Sequence, residues 1–392
     1  MPVVPALALI VLLAGPSPAE PNQAPAVDLR RISFTRNGAE APLSGSSGRA
    51  RLTLDSALQR TASRLLARAN PIAGAVVAVD APTGRVLVWA ERRPSASQPG
   101  AVLLDTQAPA ASLFKIVTSA ALLEKAGIGP ATRVCTNGGL HSIERQHLEP
   151  PARGDSARCG SFAQALGHSR NAVFAQLATR HLLRADLQEM ADQFGFNGPL
   201  PFVGGPPMGA ANLPYNDLEF ARAAAGFIGS ELSPLGALNL AYVVAAGGQA
   251  VRLEVVAKAG EYRAPERRRV VGRVMSAWTA QQIRRMMEVT VHSGTSLDAF
   301  SDPKGQSYLG GIRVAGKTGT LRPSATAPTT SWFVGFAPSR RPRIVVSVLI
   351  QNGKVWRRKA NEVARDVLRA YFADHGWRGV THPLPSARAS SQ

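Results

Sequence analysis

The chain carries two groups of β-rich segments, separated by a long helical stretch. Two early runs, at 73–80 and 85–90, flank the turn sequence Ala-Pro-Thr-Gly. Runs of β-branched and aromatic residues return only near the end of the chain, at 312–320, 332–336 and 344–351. Antiparallel neighbours need only short turns, and an isolated hairpin is rarely stable by itself. The runs therefore predict one antiparallel five-stranded sheet, whose two halves lie far apart in the sequence.

Helical periodicity occupies much of the remaining chain. In residues 56–69 leucines and alanines recur at helical spacing, and residues 361–373 form a second amphipathic segment. The pattern from 112 to about 287 is mainly helical. We therefore predict an α/β (α+β) fold, in which helices flank the sheet and the middle segment forms an all-helical lobe beside a cleft at the sheet edge.

The N-terminal segment differs in composition from the rest. Residues 3–14 are almost wholly apolar, and the sequence Ser-Pro-Ala follows at 17–19. As a helix, this apolar run reaches about 18 Å, short of the roughly 30 Å hydrocarbon core of a bilayer. No Lys or Arg precedes it, yet the small residues suit cleavage before Glu20. We interpret residues 1–19 as a signal peptide and expect an extracytoplasmic protein, in the periplasm or at the outer face of the cytoplasmic membrane.

Composition also gives the expected limits of the folded domain. Residues 20–49 are rich in Pro, Ala, Ser, Gly and Arg with little apolar periodicity, so they predict a linker. Residues 376–392 are rich in Pro, Ser and Arg and predict a disordered tail. The domain is expected to span 50–375, and the hydrophobic content of 45% is ample for a packed core.

Three short motifs in the domain carry the chemistry. Residues 112–115 read SLFK, residues 169–171 read SRN, and residues 317–320 read KTGT. Acyl transfer from a peptide needs an activated hydroxyl, a base beside it, donors for the oxyanion and a proton for the leaving amine. Ser112 and Lys115 supply the first two of these groups, and each motif alone is a weak signal.

The first motif predicts a serine nucleophile with a lysine base. At a helix start, residues three apart lie on one face, so the amine of Lys115 approaches the hydroxyl of Ser112. The helix is largely apolar, which predicts that Lys115 is buried. Burial and the cation of Lys317 both lower a lysine pKa, as a base requires. The alternative is a surface helix with a serine N-cap and an outward lysine.

In this order, the motifs resemble the Ser-x-x-Lys, Ser-x-Asn and Lys-Thr-Gly set of penicillin-binding proteins and serine β-lactamases. Further segments resemble penicillin-binding transpeptidases: AVVAVDAPTGRVLVW at 75–89, the stretch 169–195, SPLGALNLAYVVAAGG at 233–248, and SWFVGFAP at 331–338. The resemblance covers residues 50–373. It identifies 50–375 as a penicillin-binding transpeptidase domain with a β-lactamase/transpeptidase-like fold.

The resemblance also implies roles for the second motif. Ser169 would relay a proton from the lysine amine to the departing nitrogen. Asn171 would hold the substrate amide and Lys115, while Arg170 occupies the variable position. The alternative for this motif is a plain helix N-cap, with Ser169 bonding to backbone N–H groups.

The third motif is expected on an edge strand. The resemblance implies that Lys317 and Thr318 bind a substrate carboxylate, and that Gly319 lets a peptide backbone lie against the strand. The backbone N–H groups of Thr320 and Ser112 would form the oxyanion hole. The alternative is a strand that simply ends in a turn. His168, beside the second motif, is interpreted as an exposed loop histidine, because Lys115 already supplies the base.

The chain has two cysteines, Cys135 and Cys159, just upstream of the second motif. In an oxidising compartment they would pair and stiffen the loop between them, with a stabilisation of roughly 3 kcal/mol. Two buried thiols are the alternative. The sequence shows no metal-ligand spacing and no cofactor motif, so neither a metal nor a cofactor is expected.

The formal net charge is +19. Such an excess favours anionic partners, among them membrane headgroups, a lipid-linked precursor and acidic wall polymers. The arginines are spread along the chain without a nucleic-acid-binding motif, so nucleic acid is not expected as a partner.

Three functions are compatible with these residues. The first is a D,D-transpeptidase that acts on peptidoglycan stem peptides, binds β-lactam antibiotics and works beside a separate glycosyltransferase. The second is hydrolysis, by a D,D-carboxypeptidase or a β-lactamase. No Glu-x-x-Leu-Asn-like stretch follows Asn171, and oxacillin-type enzymes usually have Val at that position. The third is a penicillin sensor or scaffold without turnover, which would tolerate loss of Lys115 or Lys317.

Overall fold

The computed structural model describes residues 24–35, 38–94, 102–152, 157–353 and 355–383. The expected signal peptide at 1–19 lies outside the described residues, as does the last part of the expected tail, 384–392. Among the residues that are described, no helix has both the length and the apolar character needed to cross a membrane.

The strands are short outside one central sheet. In chain order they are β1 (Ser33–Thr35), β2 (Gly38–Pro42), β3 (Arg49–Leu52), β4 (Ala73–Asp80), β5 (Val86–Arg92), β6 (Ala108–Pro109), β7 (Arg133–Thr136), β8 (Arg158–Ser161), β9 (Gly209–Ala211), β10 (Ser230–Leu232), β11 (Gln249–Val251), β12 (Val256–Ala259), β13 (Tyr262–Arg263), β14 (Val270–Arg273), β15 (Ala315–Leu321), β16 (Thr329–Ala337) and β17 (Ile344–Asn352).

Helices occupy most of the middle of the chain. They are α1 (Ser56–Ala69), α2 (Lys115–Lys125), α3 (Phe162–Gly167), α4 (Asn171–His181), α5 (Arg184–Phe194), α6 (Asp217–Ala224), α7 (Pro234–Ala245), α8 (Ala277–His292), α9 (Leu297–Phe300) and α10 (Ala360–Asp374). Short 3-10 helices form at Leu29–Arg31, Ala111–Leu113 and Arg145–Leu148.

The central sheet confirms the main prediction from the sequence. It has five antiparallel strands in the order β15-β16-β17-β4-β5. The two halves of the chain join where β17 pairs with β4, for example at Val348 opposite Val76. Strand β15, which carries the KTGT motif, forms one edge of the sheet. That edge is where the cleft lies.

Helices cover both faces of the central sheet. On one face, α1 and α10 pack against each other and against the strands. Asp55 caps the N-terminus of α1, where its carboxylate accepts hydrogen bonds from two backbone N–H groups, and Asn70 caps the C-terminus in a left-handed conformation. On the other face lies α7, whose side chains are almost all buried between the sheet and the remaining helices. The middle segment also contains short β pairs that the sequence pattern does not predict.

The interpretation of residues 20–49 as a linker is wrong for most of their described part. Strands β1, β2 and β3 join β12 and β13 in a second five-stranded sheet. The buried side chains of β2 and of the start of β3 are the small residues Ala39, Ala41 and Ala50, and Leu52 is buried at the end of β3. Because small alternating residues give a weak apolar pattern, the segment reads as irregular in the sequence although its backbone is paired.

The expected start of the disordered tail at residue 376 is too early. Trp377 packs edge-on against Phe372, with ring centroids 5.0 Å apart. The guanidinium of Arg369 donates a hydrogen bond to the hydroxyl of Thr381 at 2.8 Å. Residues 376–383 therefore lie against the last helix of the domain.

Candidate active site

A tight turn presents Ser112 at the start of α2. Ser112 lies in the 3-10 helix that precedes α2, and Ala111 before it has a φ of +50°. Gly226 approaches this turn so closely that a Cβ there would lie 2.1 Å from the carbonyl oxygen of Ala111. The left-handed conformation at Ala111 carries strain, which the surrounding packing holds in place.

Lys115, the first residue of α2, points back to Ser112. Its Nζ lies 2.7 Å from the Ser112 Oγ, and its side chain is fully buried. Burial, and then the charge of Lys317, hold the pKa of Lys115 well below its ordinary value. The amine is therefore disposed to be neutral and to accept a proton. The predicted contact and the predicted burial are both present.

The SRN motif forms the connection between α3 and α4. Ser169 has a φ of +56°, and Asn171 begins α4. The Oδ1 of Asn171 accepts a hydrogen bond from the Lys115 Nζ at 2.6 Å, and its Nδ2 donates one to the carbonyl oxygen of Leu140, also at 2.6 Å. The asparagine is thus fixed from both sides and orients the lysine.

Lys317 reaches the same place from the edge strand β15. Its Nζ donates to the Ser169 Oγ at 3.1 Å and to the carbonyl oxygen of Thr318 at 2.8 Å. The side chain is fully buried, and this burial lowers the pKa of Lys317 to about 7. The Lys115 Nζ is 3.4 Å from the same Ser169 hydroxyl. One hydroxyl therefore connects the two lysines.

These groups open into a cleft of about 380 Å³ between the sheet edge and the helical lobe. Its lining is Ser112, Leu140, His168, Ser169, Asn171, Thr295, Thr318, Thr320, Ser331, Trp332, Trp356, Lys359 and Asn361. No Asp or Glu is present among these lining residues. Within the described ranges, no group of three or more His, Cys, Asp or Glu side chains is placed to hold a metal ion.

A family model matches most of the chain. The model of the penicillin binding protein transpeptidase domain matches residues 74–372. The chain belongs to the penicillin-binding protein transpeptidase family. The match includes all three motifs and every strand of the central sheet except the first residue of β4.

Several curated proteins are similar in sequence to much of the chain. The peptidoglycan D,D-transpeptidase PbpA of Mycolicibacterium smegmatis is 25% identical over 329 residues, which cover 72% of this chain and 63% of that protein. The stage V sporulation protein D of Bacillus subtilis is 27% identical, with 78% of this chain and 50% of that protein covered. The chain thus spans between half and two thirds of the length of these curated relatives.

Solved structures of the family share the fold. The D,D-transpeptidase domain of a peptidoglycan glycosyltransferase from Eggerthella lenta superposes with a TM-score of 0.68 at 24% identity, covering 88% of this chain and 95% of that chain. Penicillin-binding protein A from Mycobacterium tuberculosis gives a TM-score of 0.67 at 22% identity, covering 88% and 90%. The architecture therefore belongs to the penicillin-binding protein transpeptidases.

Gly319 has a packing constraint that the sequence pattern does not reveal. A Cβ at this position would lie 3.3 Å from the Cβ and Cδ1 of Trp332 and 3.4 Å from the Cβ of Ala111. The Trp332 indole in turn donates a hydrogen bond to the carbonyl oxygen of Pro109 at 2.9 Å. Strand β15 therefore packs closely behind the turn that carries Ser112, and glycine makes this approach possible.

Three residues of the site have no signal in the sequence. The carbonyl of Leu140 holds Asn171, and the hydroxyl of Thr295 lies 2.6 Å from that of Thr318. Trp356 also lines the cleft. Each comes from a loop or helix end outside the three motifs, so only the folded backbone brings it to the cleft.

His168 lies at the cleft with an exposed side chain. Burial of part of the ring, and then the charge of Arg170, lower the pKa of His168. The histidine is therefore disposed to be neutral at pH 7. The side chain is exposed, as the sequence predicts. The sequence does not predict that it lines the cleft.

The two cysteines are paired. Cys135 on β7 and Cys159 on β8 form a disulfide, with their Cα atoms 4.0 Å apart. The structure therefore contains a disulfide and not two buried thiols. It ties together the hairpin that lies beside the SRN connection.

Proposed function

We propose that the protein is a penicillin-binding D,D-transpeptidase that acts on peptidoglycan stem peptides through an acyl-serine intermediate at Ser112. The observation that supports this most directly is the 2.7 Å contact between the Ser112 hydroxyl and the fully buried amine of Lys115. A buried lysine without a carboxylate partner costs free energy, which is understandable where a neutral amine is needed as a base.

Acylation begins with proton removal from Ser112. The neutral amine of Lys115 takes the hydroxyl proton as the Oγ attacks the carbonyl carbon of the penultimate D-Ala. The backbone N–H groups of Ser112 and Thr320 stabilise the resulting oxyanion. The proton then passes from Lys115 through the Ser169 hydroxyl to the departing nitrogen. The C–N bond breaks, terminal D-Ala leaves with a free amine, and the stem peptide stays on Ser112 as an ester.

Transfer to an acceptor restores the enzyme. An amine of a neighbouring stem attacks the ester carbonyl, loses a proton to the Ser169 and Lys115 relay, and displaces the Ser112 oxygen, which regains its proton. Lys317 and Thr318 hold the carboxylate of the donor before cleavage. With a pKa of about 7, Lys317 is partly charged near neutral pH, and an entering carboxylate would favour its charged form.

Hydrolysis is less well supported by the cleft. A β-lactamase needs a base for the deacylating water, and the lining residues include no Asp or Glu. Penicillin-binding protein A from Mycobacterium tuberculosis has been crystallised as ceftriaxone and imipenem acyl-enzyme complexes. By the same chemistry we propose that β-lactams acylate Ser112 and are released slowly.

The place of action follows from the substrate. We propose that the protein works outside the cytoplasm, on exported peptidoglycan, and that a separate glycosyltransferase supplies the glycan chains. The net charge of +19 supports contact with anionic wall polymers and with the membrane surface.

Labelling with a fluorescent penicillin tests the acyl-serine site. The purified protein is compared with Ser112→Ala and with Ser142→Ala, whose serine is exposed outside the cleft lining. We expect a stable adduct that is lost only in Ser112→Ala. Rapid decay of the adduct would instead indicate a β-lactamase, and no labelling of the wild-type protein would indicate a binding domain without this chemistry.

Product analysis separates transfer from hydrolysis. A peptide ending in D-Ala-D-Ala is incubated with an amine acceptor, and the products are identified by mass spectrometry. The proposal predicts a cross-linked product together with free D-Ala. Release of D-Ala with only the shortened acid would identify a D,D-carboxypeptidase.

A further inference from the structure

A hairpin beside the cleft carries one arginine whose direction the strand register determines. Thr136 on β7 lies opposite Arg158 on β8, and Val134 lies opposite Gly160. Side chains alternate between the two faces of a strand. Arg158 and Gly160 therefore share one face with Thr136, while Arg133 and the disulfide lie on the other face.

The guanidinium of Arg170, from the SRN motif, lies against the same face. A Cβ on Gly160 would be only 2.7 Å from the Nη1 of Arg170 and 3.4 Å from its Cζ. The missing side chain of Gly160 thus leaves the space that the guanidinium occupies. The two arginines converge on one side of the hairpin although they come from different elements.

Arg170 has an unused hydrogen-bond donor at this place. Its Nη1 is buried and has no hydrogen-bond partner among the residues that the structure describes. A buried donor without an acceptor is unfavourable, because it has lost its hydrogen bonds to water. Because this nitrogen is covered by protein, a ligand would contact Arg170 through the part of its side chain that remains accessible, where an anion is favoured because guanidinium bonds to charged oxygens are the stronger ones.

Both arginines line a second cavity, of about 460 Å³, which adjoins the catalytic cleft. Its lining is formed by residues 136–140, Arg158 and residues 170–172, and it includes no Asp or Glu among the described residues. Leu140 and Asn171 line both cavities. A peptide chain that lies in the cleft against Asn171 can therefore place a side chain in the second cavity.

The charge of Arg170 also acts on a residue that lines the cleft. His168, at the cleft, has a pKa that is lowered first by burial and then by the positive charge of Arg170. Arg158 and Arg170 also place positive charge beside the cleft, because both line the cavity that adjoins it. This charge would attract an anionic substrate and steer it toward Asn171.

We propose that the cavity between Arg158 and Arg170 is a subsite for a carboxylate that the donor peptide carries on the N-terminal side of the bond to be cleaved. This inference rests on the proposed transpeptidase function. The forked guanidinium groups match the two oxygens of a carboxylate, a geometry that lysine does not reproduce. The subsite selects donors with an acidic residue over donors in which that residue is amidated.

The test compares paired donor peptides that end in D-Ala-D-Ala. Within each pair one peptide has an acidic residue and the other its amide, at the first, second or third position before the cleaved bond. D-Ala release is measured with wild-type protein, Arg158→Gln, Arg170→Lys and the control Arg133→Gln, whose arginine lies on the opposite face of the hairpin. Fluorescent penicillin, which lacks the upstream carboxylate, monitors the acylation chemistry of each variant.

We expect wild-type kcat/KM to favour the acidic peptide by about tenfold at one of the three positions, and Arg158→Gln to reduce this preference to nearly one. The loss of preference should come mainly from a lower kcat/KM for the acidic peptide. Penicillin labelling should be unchanged in Arg158→Gln. Arg170→Lys should retain only part of the preference, and Arg133→Gln should keep all of it.

Two kinds of result would overturn the proposal, and they differ in their consequences. Equal use of acidic and amidated peptides at all three positions, or an equal loss of preference in Arg133→Gln, would remove the subsite and leave the transpeptidase proposal intact. If penicillin labels Ser112 but neither peptide of any pair is consumed, the D,D-transpeptidase proposal fails and the subsite fails with it.

Discussion

The side chains of Lys115 and Lys317 end at the same hydroxyl, that of Ser169, at distances of 3.4 and 3.1 Å. Both lysines are fully buried. Two positive charges at this separation, out of contact with water, are strongly unfavourable. The arrangement therefore favours a neutral amine at Lys115, whose pKa is lowered by burial and by the charge of Lys317.

Replacing Lys317 with Met is expected to stabilise the free protein at neutral pH. The folded-state pKa of Lys317 is about 7, against 10.5 for the ordinary lysine. Between these values the unfolded chain binds a proton that the folded chain does not, so wild-type stability falls as the pH falls from 10.5 toward 7. Lys317→Met removes this penalty, and we expect a gain on the order of 2 kcal/mol near neutral pH.

The gain should shrink as the pH approaches the ordinary lysine pKa, which urea unfolding at several pH values would measure. Lys304→Met, at an exposed loop lysine, is the matched control and should show no such trend. If Lys317→Met is less stable than the wild type at every pH, the ammonium is stabilised in the fold and our account of its burial is wrong.

Replacing Asn171 with Asp should shift the pH dependence of acylation upward. The Oδ1 of Asn171 lies 2.6 Å from the Lys115 Nζ, so the substitution places a negative charge against the amine. This charge raises the pKa of Lys115 and keeps it protonated. We expect the acylation rate with penicillin at pH 7 to fall by roughly 100-fold, with activity recovering as the pH is raised.

Asn171→Ala is the control, because it removes the hydrogen bond without adding a charge. Its rate should fall, but the acidic limb of the pH profile should not move upward as it does in Asn171→Asp. Identical pH profiles for the two variants would show that the carboxylate does not act through the ionisation of Lys115.

Adding one methyl group at Gly319 should slow acylation with little loss of stability. The new Cβ would be tight against Trp332 at 3.3 Å and would touch Ala111 at 3.4 Å, and Ala111 directly precedes the proposed nucleophile. A displacement of a few tenths of an ångström at Ser112 is expected to lower the acylation rate by about tenfold. Gly311→Ala, where nothing lies within 4 Å, should leave the rate unchanged.

The measurement is the second-order rate of penicillin labelling, together with the Tm of each variant. A Gly319→Ala protein with a wild-type rate would mean that the turn before Ser112 accommodates the methyl group. A large drop in its Tm would instead show that the methyl group destabilises the sheet.

Removing the disulfide should destabilise the domain by roughly 3 kcal/mol, the loop-entropy value for a closed loop of this length. We expect the double variant Cys135→Ser, Cys159→Ser to unfold at lower urea concentration than the oxidised wild type. A reducing agent should lower the wild-type midpoint to that of the variant and leave the variant unaffected. Equal midpoints for the oxidised wild type and the double variant would contradict this prediction.

The sequence by itself determined the local parts of the protein. The spacing of Ser112 and Lys115 on a helix start, and the β-rich runs at both ends of the domain, are periodic patterns that one chain segment specifies alone. The central sheet followed because those runs had few other ways to pair. Even the burial of Lys115 could be predicted from its apolar neighbours along the helix.

Only the tertiary structure decided which distant groups meet. The contact of Lys317 with Ser169, the hold of the Leu140 carbonyl on Asn171, and the space above Gly160 for Arg170 each join segments without a shared pattern. The pairing of β3 with β12, which joins residues 33–52 to a second sheet, is of the same kind. Such contacts depend on backbone pairing and on the packing of whole elements, which local spacing does not encode.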